Sequence, residues 1–340
     1  MRVWQSHSWQ MLTTYLRPQR WRVALLTVFL LSSIALQLVN PQIVRRFIDE
    51  ATQQGQAGGT LGVLGVLALV YIGVALLAQT VTLGATYLSE LVGWSATNTL
   101  RSDLARHCLR LDMPFHNART PGELIERIDG DVIAIGKFFG QFVVQIAGSV
   151  LLMLGVLALL FREDWRVGAA LSLFTLVAVV ALARSSTIAV PAMTADREAQ
   201  AQLFGFLEEQ LAGLDDIRSN GGGNYVMQRF HSSLREVFFK SRRGIMMGSA
   251  ISMITMGLFA LGYALALGLG GFLYLRGAVT IGTVYLFYDY VFLLYQPIQQ
   301  VAEQLKEFQK AVAGMQRVRE LRSYTPQIVE LCVAQVVSVS

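Results

Sequence analysis

The sequence is organised by apolar blocks of one recurring length. They occupy residues 21–39, 61–83, 138–161, 167–189, 245–275 and 281–305. A hydrocarbon core of about 30 Å is crossed by roughly 20 residues of helix. Inside lipid only helices and closed barrels satisfy the backbone, and these blocks lack the two-residue alternation of barrel strands. The expected fold class is an all-α membrane protein with six long transmembrane helices. Composition decides against a soluble domain: 15% of the 340 residues are charged and 54% hydrophobic, where a soluble domain carries about 25% charged. The fifth block is long enough to extend beyond the bilayer, and the sixth fades into charge.

No short apolar core followed by a small-residue cleavage site precedes the first block, so no removable signal peptide is expected. Cys108 and Cys332 are too few and too far apart for a disulfide framework or a metal site. The four histidines, His7, His107, His116 and His231, are scattered, so no metal is expected.

Sidedness follows from Lys and Arg, which favour cytoplasmic loops. The amino terminus with Arg22, the second-to-third connection, the fourth-to-fifth connection with Arg184 just before it, and the tail hold 23 of the 28 basic residues. Arg17, Arg20 and Arg22 flank the first span directly. The expectation is a multi-pass protein of the plasma (inner) membrane with both termini cytoplasmic.

The outer connections are short, around QQGQAGGT, REDW and LRGAVTIG. The inner ones, residues 84–137 and 190–244, are long and keep apolar residues at helical spacing, as in Leu203, Phe206, Leu207, Leu211 and Leu214. The spans are therefore expected to continue as two cytoplasmic prongs. Pro and Gly place their turns at MPFHNARTPG and GLDDIRSNGGG.

Those turns carry a family resemblance. The stretch MPFHNARTPGELIERIDGDV, residues 113–132, resembles the first intracellular loop in the transmembrane domain of ABC exporters through Phe115, Gly122, Leu124, Arg127 and Asp131. FLEEQLAGLDDIRSNGGGNYVMQRF resembles the second loop through Glu209, Gly213, Ile217 and Arg218. GAVTIGTVYLFYDYVFLLYQPIQQ, with QKAVAGMQRVREL after it, is similar to the outer turn, sixth helix and exit.

The resemblance implies an exporter transmembrane domain over 21–322, a cytoplasmic segment over 1–20, and over 323–340 the start of a linker or truncated tail toward a nucleotide-binding domain. It implies a first coupling helix drawing on Phe115, His116, Asn117, Thr120, Gly122, Glu123 and Arg127. It implies a second drawing on Gly213, Leu214, Asp215, Asp216 and Arg218. The implied partners are a second transmembrane half, in a homodimer or heterodimer, ABC nucleotide-binding domains carrying ATP and Mg, and the lipid bilayer. The fourth and fifth helices would cross to the second half. The transported molecule would be a small molecule, lipid or peptide, and no nucleic acid is implied.

Two departures stand out. His116 and Asn117 follow the aromatic where the family often has an acid, and the chain closes with LCVAQVVSVS where a nucleotide-binding domain would begin. The nearest approach to a phosphate-binding loop, GDVIAIGKF, has one residue too many between its glycines and Phe138 in place of a hydroxyl. Lys137 reads instead as a membrane boundary. ATP hydrolysis is thus expected only with a partner domain.

A rigid aromatic such as Phe115 suits docking, and it equally suits capping a helical hairpin. Arg127 and Asp131, four residues apart, have the spacing of an exposed ion pair. For substrate, Asp289 with Tyr288 and Tyr290 beside it, and Gln79, Gln141, Gln145 and Gln296, are the candidate pathway residues. An acid inside a span costs roughly 2.5–3.5 kcal/mol on insertion scales. Asp289 therefore either faces a cavity that draws polar or cationic substrate, or is satisfied by a neighbouring helix or water. Two alternatives accompany the exporter reading: an ion-gradient-driven secondary transporter using Asp289, and a non-transporting membrane scaffold.

Overall fold

A computed structural model describes residues 17–54, 61–137, 140 and 143–325. The amino-terminal segment 1–16, the outer loop 55–60, Phe138, Gln141, and the tail beyond 325 with Cys332 lie outside the described residues. Every regular element among the described residues is helical, as the all-α class requires. In chain order they are a 3-10 turn (Arg17–Gln19), α1 (Arg20–Gln54), α2 (Leu61–Leu109), the short α3 (Met113–Asn117) and α4 (Pro121–Ile125), a π-helical turn (Glu126–Gly130), and α5 (Asp131–Lys137). Then come α6 (Val143–Glu163), α7 (Trp165–Ala212), the short α8 (Leu214–Ser219), α9 (Gly223–Leu275) and α10 (Ile281–Ser323).

Five helices, α1, α2, α6, α7 and α9, are long and apolar enough to cross a membrane. The expected sixth span, in α10, has the length at 43 residues. Its apolar stretch, however, is diluted by Tyr285, Tyr288, Asp289, Tyr290, Tyr295 and Gln296. Leu69 and Leu76 on α2 are 70% and 66% exposed, a surface that lipid tails accept as readily as a protein core does.

Helix length explains the prongs. At 1.5 Å per residue the 49 residues of α2 span about 74 Å, more than twice a hydrocarbon core. The 48 residues of α7 and 53 of α9 overrun in the same way. Pro41, Pro191 and Pro297 lie inside continuing helices. The freed carbonyls are tolerable where neighbouring groups satisfy them.

The chain divides into two compact units, 1–152 with 304–340, and 153–303. In the first, one stripe of α2 (Ala96, Leu100, Leu104, Cys108) meets Val132 and Ile135 of α5 and a stripe of α10 (Ala311, Met315, Val318, Leu321). Steps of three and four residues put each stripe on one helical face. In the second unit α7 buries Val167, Leu171, Ala178 and Leu182, and α10 buries Leu286, Phe287, Tyr290 and Leu294. The predicted REDW turn is a single residue, Asp164, whose carboxylate accepts from the Arg166 amide at 2.7 Å. At LRGAVTIG, Gly277 takes φ of 69°, letting the Ala278 amide close back on the Leu273 carbonyl at 3.0 Å.

Candidate functional site

The first turn is built from a proline at the start of α3 and a capping box at α4. Thr120 accepts from the Glu123 amide at 3.3 Å, the Thr-x-x-Glu pattern that satisfies helix-start donors. The short helix ends at Asn117, so of the predicted first-turn residues only Phe115, His116 and Asn117 lie on it. Thr120, Gly122 and Glu123 open the next helix, and Arg127 falls in the π-helical turn.

Phe115 turns inward. Its ring is half-buried on the α2–α5–α10 core, 5.6 Å edge-on from His116 and 5.1 Å from Tyr324. The outward surface is made instead by Met113, 68% exposed, with Pro114 and Asn117. His116 is tied to the Cys108 carbonyl at 3.1 Å.

Arg119 is the centre of a clasp that joins this turn to the end of α10. Its guanidinium lies 5.0 Å from the Phe115 ring centroid and 5.1 Å from that of Tyr324. It donates to the Tyr324 hydroxyl at 2.9 Å, to Glu123 at 3.0 Å and to Glu320 at 3.4 Å. Arg127, largely buried, donates to Glu123 at 2.9 Å and stands 3.5 Å from Glu320. His107 bonds the Leu321 carbonyl at 3.1 Å, and Arg101 pairs with Asp129 at 2.6 Å.

The expected Arg127–Asp131 pairing is corrected. The i→i+5 winding of residues 126–130 takes the two side chains off the shared face that α-helical spacing would give them. Asp131, 2% exposed, is instead held by Arg317, whose Nε donates to the two carboxylate oxygens at 2.8 and 3.1 Å, with a further bond from a terminal nitrogen. Those hydrogen bonds from the carboxylate push the Arg317 pKa up, against the opposing effect of burial. Burial likewise raises the Cys108 thiol, against the lowering effect of Arg127.

The second turn contrasts with the first. Gly213 caps α7 through the Glu209 carbonyl at 3.0 Å, α8 carries Leu214, Asp215, Asp216 and Arg218, and Gly221 at φ of 66° reverses the chain. The Asp215, Asp216 and Arg218 side chains are exposed and make no ion pair among the described residues. Acids in the first turn of α8 complement its positive end. The predicted apolar stripe runs from buried Leu203 to Leu211, 70% exposed, and Leu214, 41% exposed. Farther from the tip, Asp196 of α7 accepts from Ser241 of α9 and from Gln200 at 2.9 Å, and these bonds lower its pKa.

The predicted pathway residues fall in both units. Gln145 is in the first; Tyr288, Asp289 and Gln296 are in the second. Gln145 and Gln296 are exposed, Asp289 is half-buried, and Tyr290 is fully buried, turned to the core. The ring beside Tyr288 is Tyr263 of α9, at 4.8 Å between centroids. Sequence reasoning missed Tyr263, Arg317, Glu320 and Tyr324. Only the polar residues breaking the apolar rhythm of 311–321 hinted at Arg317 and Glu320, and nothing hinted at Tyr324.

Comparison with known proteins agrees with this architecture. The model of the ABC transporter transmembrane region matches residues 23–298. An ABC transporter ATP-binding protein of Streptococcus pneumoniae is 24% identical over 322 residues, 93% of this chain and 54% of that protein. An ATP-dependent lipid A-core flippase of Desulfotalea psychrophila is 22% identical over 242 residues, 70% and 42% of the two. A lactococcin-G-processing and transport ATP-binding protein of Lactococcus lactis is 25% identical over 276 residues, 80% and 38%. The chain spans about half or less of the length of these relatives. A multi-pass helical bundle matched over most of its length in this way is a member of the family, and the chain belongs to the ABC transporter transmembrane regions.

Proposed function

We propose that this chain is the substrate-translocating part of an ATP-driven exporter. The observation that carries the reading is the pair of short helices, α3 and α8, each closing a prong of overlong helices and each presenting apolar side chains outward. Met113 at the first tip, and Leu211 and Leu214 at the second, are exposed apolar groups beyond any hydrocarbon core and call for a protein surface. The first site comprises Met113, Pro114 and Asn117, supported from behind by Phe115, His116, Thr120, Gly122, Glu123 and Arg127. The second comprises Gly213, Leu214, Asp215, Asp216 and Arg218.

On this reading α10 is the sixth span and both termini are cytoplasmic, in the plasma (inner) membrane. The turns dock on nucleotide-binding domains that hold ATP and Mg, either farther along the same polypeptide or on another chain. A second transmembrane half completes the pathway, to which Gln145, Tyr288, Asp289 and Gln296 contribute. The relatives' names, which include a lipid A-core flippase and a lactococcin transporter, support ATP-powered export as the class of activity.

Photo-crosslinking tests the docking. With a photoreactive residue at Met113 or Leu214, the chain expressed with its ATP-binding domain gives adducts to that domain from both positions and none from Leu76. Failure at both tips would overturn the coupling reading.

A further inference from the structure

The apolar stretch of α10 holds a carboxylate that nothing in its own unit neutralises. Asp289 makes no hydrogen bond or ion pair among the described residues, and neither of its oxygens is sealed from solvent. Arg184, the basic residue within the apolar part of α7, does not lie at its depth. Counted from the starts of α7 and α10 at 1.5 Å per residue, Arg184 is about 28 Å in and Asp289 about 12 Å. Arg276 follows the end of α9 and lies over the Phe272 ring at 4.2 Å.

Aromatic rings adjoin the acid along α10. Tyr288, its chain neighbour, is paired with Tyr263 at 4.8 Å and 33°, and Tyr285 is 6.2 Å from Tyr288. An aromatic face is the negative side of a quadrupole. Faces of this kind give no counter-charge to a carboxylate, whereas a cation is attracted by both kinds of group. A second aromatic cluster of the unit, Phe174, Phe259 and Tyr295, shows what plain packing looks like here: edge-to-face pairs at 5.8 and 4.7 Å with no acid among them. Asp289 also lies on one face of α10 with Tyr285, Phe292 and Gln296, and these three are exposed.

We infer that Asp289, with the rings of Tyr263 and Tyr288, forms a recognition subsite for an organic cation carrying a lipophilic or aromatic body. The carboxylate supplies the counter-charge, the tyrosine faces supply cation–π attraction, and Phe292 supplies apolar contact. The inference rests on the translocation reading for its meaning, but binding itself requires neither ATP nor a nucleotide-binding domain.

Two probes of the same shape and opposite charge separate charge recognition from greasiness: tetraphenylphosphonium and tetraphenylborate. Equilibrium binding to the full chain is measured in nanodiscs of zwitterionic phosphatidylcholine, with empty nanodiscs as blank. Tetraphenylphosphonium should bind above the blank, weaken about tenfold or more in Asp289→Asn, and bind near the original level in Asp289→Glu. Tyr263→Leu should weaken it several-fold, and Tyr263→Phe, which keeps the ring, should weaken it less. Tetraphenylborate should show no Asp289-dependent binding. Equal binding of the two probes, or Asp289→Asn binding like the parent with an unchanged elution profile, overturns the subsite. A decrease confined to Asp289→Asn protein that no longer elutes as the parent does is decided by Tyr263→Leu against Tyr263→Phe, where equal affinities overturn it. If ATP-coupled transport fails while this binding holds, only the transport reading falls.

Discussion

The two inner turns are built on opposite plans. The first is clamped: α3 and the segment after it are fastened to the end of α10 by Arg119, Arg127 and the Asp131–Arg317 pair, across about 200 residues of sequence. The second is bare: α8 is held by Gly213, Asn220 and Gly221 at its own ends, and its charges are unpaired among the described residues. Two turns proposed for the same docking role therefore differ in what else they would move. On that proposal a push on the first would be carried straight into α10, whereas a push on the second would pass to α7 and α9, the helices that α8 joins.

The largest effect that would break this contrast is at Arg317. Arg317→Ala strands the nearly sealed Asp131 carboxylate, which should cost about 3 kcal/mol, at the low end for a buried pair because Arg317 is half exposed. Thermal unfolding of the solubilised chain reads this directly. Asp131→Asn combined with Arg317→Ala should lose less than the sum of the single changes. An additive result would mean the pair is not coupled.

Arg119→Ala comes next. Two cation–π contacts at about 0.5–1 kcal/mol each and partly exposed ion pairs worth little more predict a loss of about 1–2 kcal/mol. The signature is local: amide exchange should rise over 113–130 and 311–324 together and stay unchanged over 213–223. A rise over the first range alone would show that α10 is not held by the clasp.

At the second turn the effects are smaller. Gly221→Ala forces a side chain onto a left-handed residue with open space around it, so it should cost about 1 kcal/mol from the backbone alone. Asp215→Asn with Asp216→Asn should change stability by about 0.5 kcal/mol or less. A double variant that unfolds the prong would show that these acids are structural, and the two turns would no longer be opposites.

Much of this was legible because membrane helices are written in continuous apolarity, and turns in Pro and Gly. The long helices, the Asp164 turn, the Gly277 reversal and both inner turns follow from those signals. The clasp was not legible. Asp131 and Arg317 are 186 residues apart, and no local period links them. Arg127 missed its expected partner because one extra residue per turn over 126–130 is a tertiary outcome, not a propensity. Phe115 was legible as a large buried-type residue but not in its direction, since facing a docking partner and facing the Tyr324 ring call for the same side chain. The expected sixth span was legible as an apolar block, yet its tyrosines and Asp289 keep α10 from matching the five membrane-length helices in apolarity.

The most direct test of the account is ATPase activity in proteoliposomes of the chain with its ATP-binding domain, comparing the parent with Met113→Asp and with Leu214→Asp. A charge on either exposed tip should leave the helical bundle folded, as read by elution and thermal unfolding, and should reduce ATP hydrolysis several-fold. Full activity in both variants would contradict the claim that these two turns are where ATP-driven movement enters the membrane helices.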